Sequence, residues 1–190
     1  MSDFYYIQYC KYNPYYAELD PYEIPQPFKN ACYSSQFQYI DPNTSIVLPT
    51  TKESPEVYAD IMYRDAVPII SDYTKSLFDE FGIDNLLYKK VKLIHPISLN
   101  EHECWLALPP IIDCLDYDLS EFLPFDEESV EKPVIDENKT GRYDIFKIAK
   151  RHRHSASSTY IMLSERLYDF LINAQEQNGK KLEGVYINKL

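Results

Sequence analysis

The sequence predicts an α+β fold, a mixed or antiparallel sheet with a few helices laid on it. Three observations lead there. Short apolar runs rich in aromatic and β-branched residues recur along the chain between proline and polar breakers. Two segments, one opening at Ser71 and one at Ser164, carry apolar residues at helical spacing. Further strand candidates lie between those two segments, so the helices are segregated and the pairing is antiparallel or mixed. The 190 residues fit one domain with a short appended arm, and 45% hydrophobic against 26% charged residues is ordinary globular composition.

Phe4 to Cys10 reads as a first strand, aromatic and free of breakers. Asn13 to Phe28 holds Pro14, Pro21, Pro25 and Pro27, which predicts an extended, irregular stretch. Its tyrosines, Tyr15, Tyr16 and Tyr22, with Tyr12 just before it, supply faces that can pin it to a body. Ser45 to Leu48 is a short strand closed by Pro49, Thr50 to Pro55 a polar loop, and Glu56 to Arg64 a short helix.

Val67 to Ile70 is an apolar approach to a helix capped by Ser71, whose hydroxyl can accept from a free amide of the first turn. Tyr73, Leu77, Phe78 and Phe81 form the buried stripe, and Gly82 ends the helix. Leu86 to Ile94 is the strand that follows. Glu103 to Leu108 and Tyr143 to Ile148 are further strands, and Ile111 to Asp116 is an apolar run broken by acids. The final unit repeats the first. Tyr160 to Leu163 leads to Ser164, then to a stripe of Leu167, Phe170, Leu171 and Ala174, then Gly179 and the strand Gly184 to Ile187. A duplication and the common grammar of αβ units both fit this weak two-fold repeat. The expected organisation is an arm, residues 1–66, packed on a body of residues 67–190.

Composition excludes several functions. A net charge of −11 argues against nucleic acid as a direct ligand and permits a basic partner. Four glycines leave no room for a phosphate-cradling loop, and neither a P-loop nor a dinucleotide fingerprint is present. No apolar run approaches the ~20 residues of a membrane helix, and the start lacks the regions of a signal peptide. The expected location is therefore the cytoplasm. Cys10, Cys32, Cys104 and Cys114 are irregularly spaced, which predicts reduced thiols, no disulfide framework and no metal. No cofactor is expected.

The sharpest feature is acidic. Between Asp113 and Glu137 lie ten acidic residues and one lysine, a net charge of −9. Such a segment either steers a cationic partner or is a solvated loop. Asp126-Glu127-Glu128 lacks the alternating oxygens and turn glycine of a calcium loop. The one basic cluster, Lys147 to His154, can contact a partner, pair internally with the acidic segment, or be a solvated loop. His152 and His154 have no zinc-helix pattern around them. Ser155 to Ser158 lacks the glycines of a nucleophile elbow. Cys114 lies between acids, which disfavours a thiolate.

The stretch from about Val67 to Ile187 resembles a family of bacterial immunity proteins from polymorphic toxin systems, whose founding domain was described from a myxobacterial member. The resemblance rests on Pro68-Ile69-Ile70-Ser71, on Phe81-Gly82-Ile83 and the strand through Val91, and on Ile112-Asp113-Cys114-Leu115-Asp116 with Ser120-Glu121-Phe122. It continues in Asp144-Ile145-Phe146-Lys147 and closes on Ile161-Met162-Leu163-Ser164-Glu165-Arg166-Leu167 and Gly184-Val185-Tyr186. Residues 1–66 match nothing in it, and Ala174 to Lys181 departs from it as a loop insertion. The resemblance implies a protein that neutralises a cognate toxin by direct binding inside the producing cell, without catalytic residues of its own. The candidate toxin contacts are Asp113, Asp116, Asp118, Glu121, Asp126, Glu127 and Glu128, set against a basic cleft on the toxin. The competing readings are a small enzyme with an acid-based site and an adaptor without a toxin partner.

Overall fold

A computed structural model of the chain describes residues 3–9, 14–36, 45–64, 67–151 and 156–190. In chain order the elements are β1 (Phe4–Tyr9), α1 (Gln26–Tyr33), β2 (Ile46–Pro49), β3 (Ile61–Arg64), β4 (Val67–Ile70), α2 (Asp72–Phe81), β5 (Leu87–Ile94) and β6 (Glu101–Leu108). There follow β7 (Ile111–Ile112), β8 (Glu121–Leu123), β9 (Asp126–Lys132), α3 (Glu137–Thr140), β10 (Ile145–Ala149), β11 (Ala156–Ser164), α4 (Glu165–Asn178) and β12 (Val185–Lys189). They form an α+β fold of two five-stranded sheets and one hairpin. One sheet runs β12-β1-β11-β10-β7, the other β2-β5-β6-β4-β3, and β8-β9 stand apart from both. Pairing is antiparallel except for β10 with β7 and β2 with β5.

The two sheets share one core. Ile7, Ile145, Ile161 and Leu163 of the first sheet meet Ile61, Tyr63, Ile70 and Ala107 of the second around Leu77, Phe78, Leu167, Leu171 and Ala174 of the two long helices. The stripes read from the sequence are thus the faces that join the sheets. A second cluster packs Leu19, Ile24, Ala31 and Cys32 of the N-terminal segment on Leu48, Met62, Ile69, Leu93 and Leu106. A third packs Cys114, Leu115 and Val130 of the acidic region on Phe146, Ile148 and Met162. The pairing interleaves the N-terminal segment with the rest of the chain. β1 lies between β11 and β12, and β3 forms a hairpin with β4 across residue 66.

The two-fold repeat extends into hydrogen bonding. Ser71 Oγ accepts from the Thr74 amide at 3.2 Å and donates to Asp60 Oδ1 at 2.8 Å, while its own amide donates to the Asp60 carbonyl at 2.9 Å. Ser164 does the same with the Leu167 amide at 3.3 Å, Asp144 Oδ1 at 2.5 Å and the Asp144 carbonyl at 2.9 Å. Each aspartate directly precedes the strand that pairs with the approach to the helix. The strand inserted between that approach and the closing strand is β6 in the first unit. In the second unit it is β1, from the other end of the chain. This correspondence goes further than strand-helix-strand grammar requires.

Three local expectations are corrected. Residues 26–28 are helical, not irregular, because Pro27 sits in the first turn of α1, where its missing N–H would have had no partner anyway. Glu56 to Arg64 contains β3 and no helix. Met62 packs in one core and Ile61 and Tyr63 in another, so both faces of the strand are buried and no period-two pattern shows in the sequence. Ala174 to Lys181 is not a loop insertion, since α4 runs to Asn178 and is capped by Gly179 in the left-handed conformation.

Candidate functional site

The acidic segment is an ordered layer. Chain entry is fixed by Asp116 N–H donating to the Val134 carbonyl at 2.9 Å and Asp136 N–H to the Cys114 carbonyl at 2.8 Å. The Asp116 carboxylate then accepts from the amides of Asp118 and Leu119 at 3.0 and 3.2 Å and turns the chain toward β8. Ser120 Oγ accepts from the Val134 amide at 2.9 Å. The β8–β9 hairpin follows, with Glu121 opposite Lys132, Phe122 opposite Val130 and Leu123 opposite Asp126. Its apolar side, through Val130 and Phe122, lies on the outer face of the β10–β11 sheet.

The basic cluster braces this layer. Lys150 Nζ lies 3.4 Å from Asp126 Oδ2, and the Arg151 amide donates to the Glu128 carbonyl at 3.0 Å. The Arg151 guanidinium stands 5.4 Å from the Tyr117 ring and 5.2 Å from the Phe122 ring, which are themselves stacked at 6.0 Å. Of the readings open for Lys147 to His154, internal pairing with the acids describes Lys150, whereas the Arg151 side chain lies over aromatic rings of the acidic layer. His152, Arg153 and His154 lie outside the described residues.

Of the seven candidate acids, Asp113 is exposed and accepts from Tyr117 Oη at 2.5 Å. Burial, and then this bond, push the Tyr117 phenol up to about 12. Asp116 is committed to its turn. Asp118 is exposed. Glu121 is exposed and paired with Lys132 at 2.7 Å. Asp126 is bound by Lys150 and by the Glu128 amide at 3.2 Å. Glu128 is half-buried. The side chain of Glu127 lies outside the described residues. The hairpin carries Asp126 and Glu128 on β9 near its turn and Glu121 at its open end opposite Lys132, whereas Asp113 belongs to the preceding stretch. What stands out at the surface is apolar: Phe125 is 102% exposed and Leu119 66%.

Sequence reasoning missed two features. Lys147, read as part of a surface cluster, is fully buried in β10, with Nζ 3.2 Å from the Cys32 carbonyl and 5.8 Å from the Tyr63 ring. Burial depresses its ammonium to about 8, an effect that Cys32 partly offsets. The signal available was its position inside the apolar run Ile145 to Ala149. The second is a cleft of about 820 Å³ between the sheets, lined by Asn85, Leu87, Pro110, Asp113, Tyr143 and Lys150 among others. Asp113 is the one carboxylate lining it among the described residues.

Cys32, Cys104 and Cys114 are buried and unpaired, and burial pushes each thiol up to about 12. In a Cys10→Ser variant none of the three should react with a thiol reagent until the protein unfolds. Labelling of the native variant at the rate of a free thiol would contradict the burial described here. Among the described residues no group of three or more histidine, cysteine and acidic side chains is placed to hold a metal ion. His95 is taken up by Ser98 at 3.1 Å and Glu56 at 3.4 Å, and His102 stacks on Tyr58 at 4.1 Å. No helix among the described residues is long and apolar enough to cross a membrane.

The fold and the site together define an α+β protein that carries a braced acidic hairpin on the outside of one sheet. No protein-family model and no curated protein matches the chain.

Proposed function

We propose that this protein is an immunity protein, which binds a cognate toxin domain with a basic cleft and neutralises it by direct contact in the cytoplasm of the producing cell. The observation that supports this reading best is the form of the acidic segment. A stretch with a net charge of −9 is held as an ordered layer by Lys150, Arg151 and its own turn hydrogen bonds. Concentrating like charge on a fixed surface costs stability through self-repulsion, and a cationic partner offsets that cost while gaining in association rate.

The test is co-expression with the product of the neighbouring gene. The proposal expects a complex that survives gel filtration and cells that withstand the toxin when this protein is present. A neighbour product that neither binds nor is neutralised would sink it.

A further inference from the structure

The hairpin separates scaffold from contact. Tyr117 and Phe122 are half-buried under Arg151 and belong to the third core cluster. Phe125, three residues on from Phe122, sits in the turn between β8 and β9 and is 102% exposed. No other large hydrophobic residue described is as exposed, and it is followed at the tip by Asp126. The turn is held before any partner arrives. Pro124 restricts the backbone beside it, Leu123 pairs with Asp126 across it, and Lys150 grips Asp126 from the neighbouring sheet. Further down the hairpin Lys132 pairs with Glu121. An aromatic ring presented on a pre-ordered turn loses little freedom on docking, and a central aromatic within a charged rim is the usual form of a binding hot spot.

We infer that Phe125 is the anchor of the interface, and that its occupant is a recess with apolar walls and a rim of lysine and arginine on the partner protein. The partner's chemistry follows from the residues around the ring. Ten acids and one lysine within residues 113–137 would repel an acidic surface and draw a basic one, and an exposed phenyl ring is desolvated only in an apolar pocket. In this arrangement the acids set the rate of capture, while the ring sets the lifetime of the complex. This rests on the toxin-binding reading and adds to it where the energy of contact lies.

The experiment uses the full-length protein and the purified, catalytically inactivated product of the neighbouring toxin gene, with binding kinetics at low and high salt. Phe125→Ala should release the toxin about 30-fold faster or more, with an association rate close to wild type. Asp118→Asn combined with Glu131→Gln should slow association at low salt and leave the dissociation rate unchanged. Both variants alter exposed side chains, and thermal melts matching wild type confirm that the fold is intact. Normal toxin binding by Phe125→Ala, within about 3-fold of wild type, would overturn the anchor and leave the toxin reading standing. Failure of the wild-type protein to bind would remove both. If sedimentation shows wild type to be a dimer that Phe125→Ala dissociates, the occupant is a second copy of this chain and the inference is wrong.

Discussion

Gly184→Ala should destabilise the protein by about 3–5 kcal/mol, while Gly179→Ala should cost only about 1–2 kcal/mol. Both glycines have positive φ, +86° and +62°, so each substitution carries the strain of placing an L side chain in left-handed backbone. They differ in their surroundings. A Cβ at Gly179 meets nothing within 4 Å. At Gly184 it would lie 2.5 Å from the Ala59 Cβ and 2.5 Å from the Ile61 carbonyl oxygen, a collision with backbone that no rotamer change relieves. This contact is part of the seam between the sheets. Ile61 N–H donates to the Glu183 carbonyl at 3.2 Å, the Glu183 amide donates to Asp60 Oδ2 at 3.3 Å, and Lys180 reaches Asp60 Oδ1 at 3.1 Å. Opening the seam to fit a methyl group loosens the start of β3 and also the Asp60 that braces the Ser71 cap. Urea melts of the two variants measure the difference, and equal losses would show that the close approach at Gly184 does not hold.

Lys147→Met should stabilise the protein at neutral pH, with a gain that disappears in alkali. The folded protein holds this ammonium in a buried site with one carbonyl, that of Cys32, and the Tyr63 ring beside it. No carboxylate pairs with it among the described residues. Its folded pKa is about 8 against 10.5 for a free lysine. Below about 8 both states are protonated, and burying the charge costs on the order of 3 kcal/mol. Between about 8 and 10.5 the unfolded chain binds the proton that the folded chain has lost, so this group's contribution makes wild-type stability rise with pH. Above 10.5 neither state carries the charge and the penalty is gone. A methionine of similar length has no such term. The advantage of Lys147→Met should therefore shrink through that window. Cys104 and Cys114, raised to about 12, make stability fall as the unfolded thiols ionise above about 9, but they do so in both proteins and cancel in the difference, whereas Cys32, whose thiol Lys147 pulls down, cancels only in part, so the comparison is read between about 8 and 9. The Cys32 carbonyl keeps the Ser35 amide as a partner at 3.3 Å, which limits what the substitution loses. Denaturant melts across the alkaline range check this. A difference between the two proteins that does not vary with pH would mean the lysine is not held below its ordinary range.

Much of the frame was legible residue by residue. Ser71 and Ser164 announce helix starts because a hydroxyl before an apolar stripe satisfies an amide that the first turn leaves open, and both caps form. Leu77, Phe78, Leu167 and Leu171 fall on stripes that have to be covered, and all four are in the core. The acidic region was legible as a charge and not as a shape. Its hairpin depends on Val130 and Phe122 finding Phe146, Ile148 and Met162, residues distant along the chain. The candidate acids accordingly came out as a list, and the structure assigns Asp116 to a turn, Glu121 and Asp126 to lysines, and Asp113 to the edge of a cleft.

By itself the sequence determined what local chemistry can determine: the α+β class, the caps and ends of the two long helices, the residues that needed burial, and the sign of the charge near the middle of the chain. Only the tertiary structure decided which strand entered which sheet. β1 closes a gap between β11 and β12 from the far end of the chain, β3 became a strand because both its faces found cores, and Lys147 went inside with the run that carries it. The reason is one of range. Caps and stripes are satisfied within a few residues, whereas strand partners, a glycine pressed against a distant carbonyl and the burial of an ammonium are fixed by atoms that the neighbouring sequence does not contain.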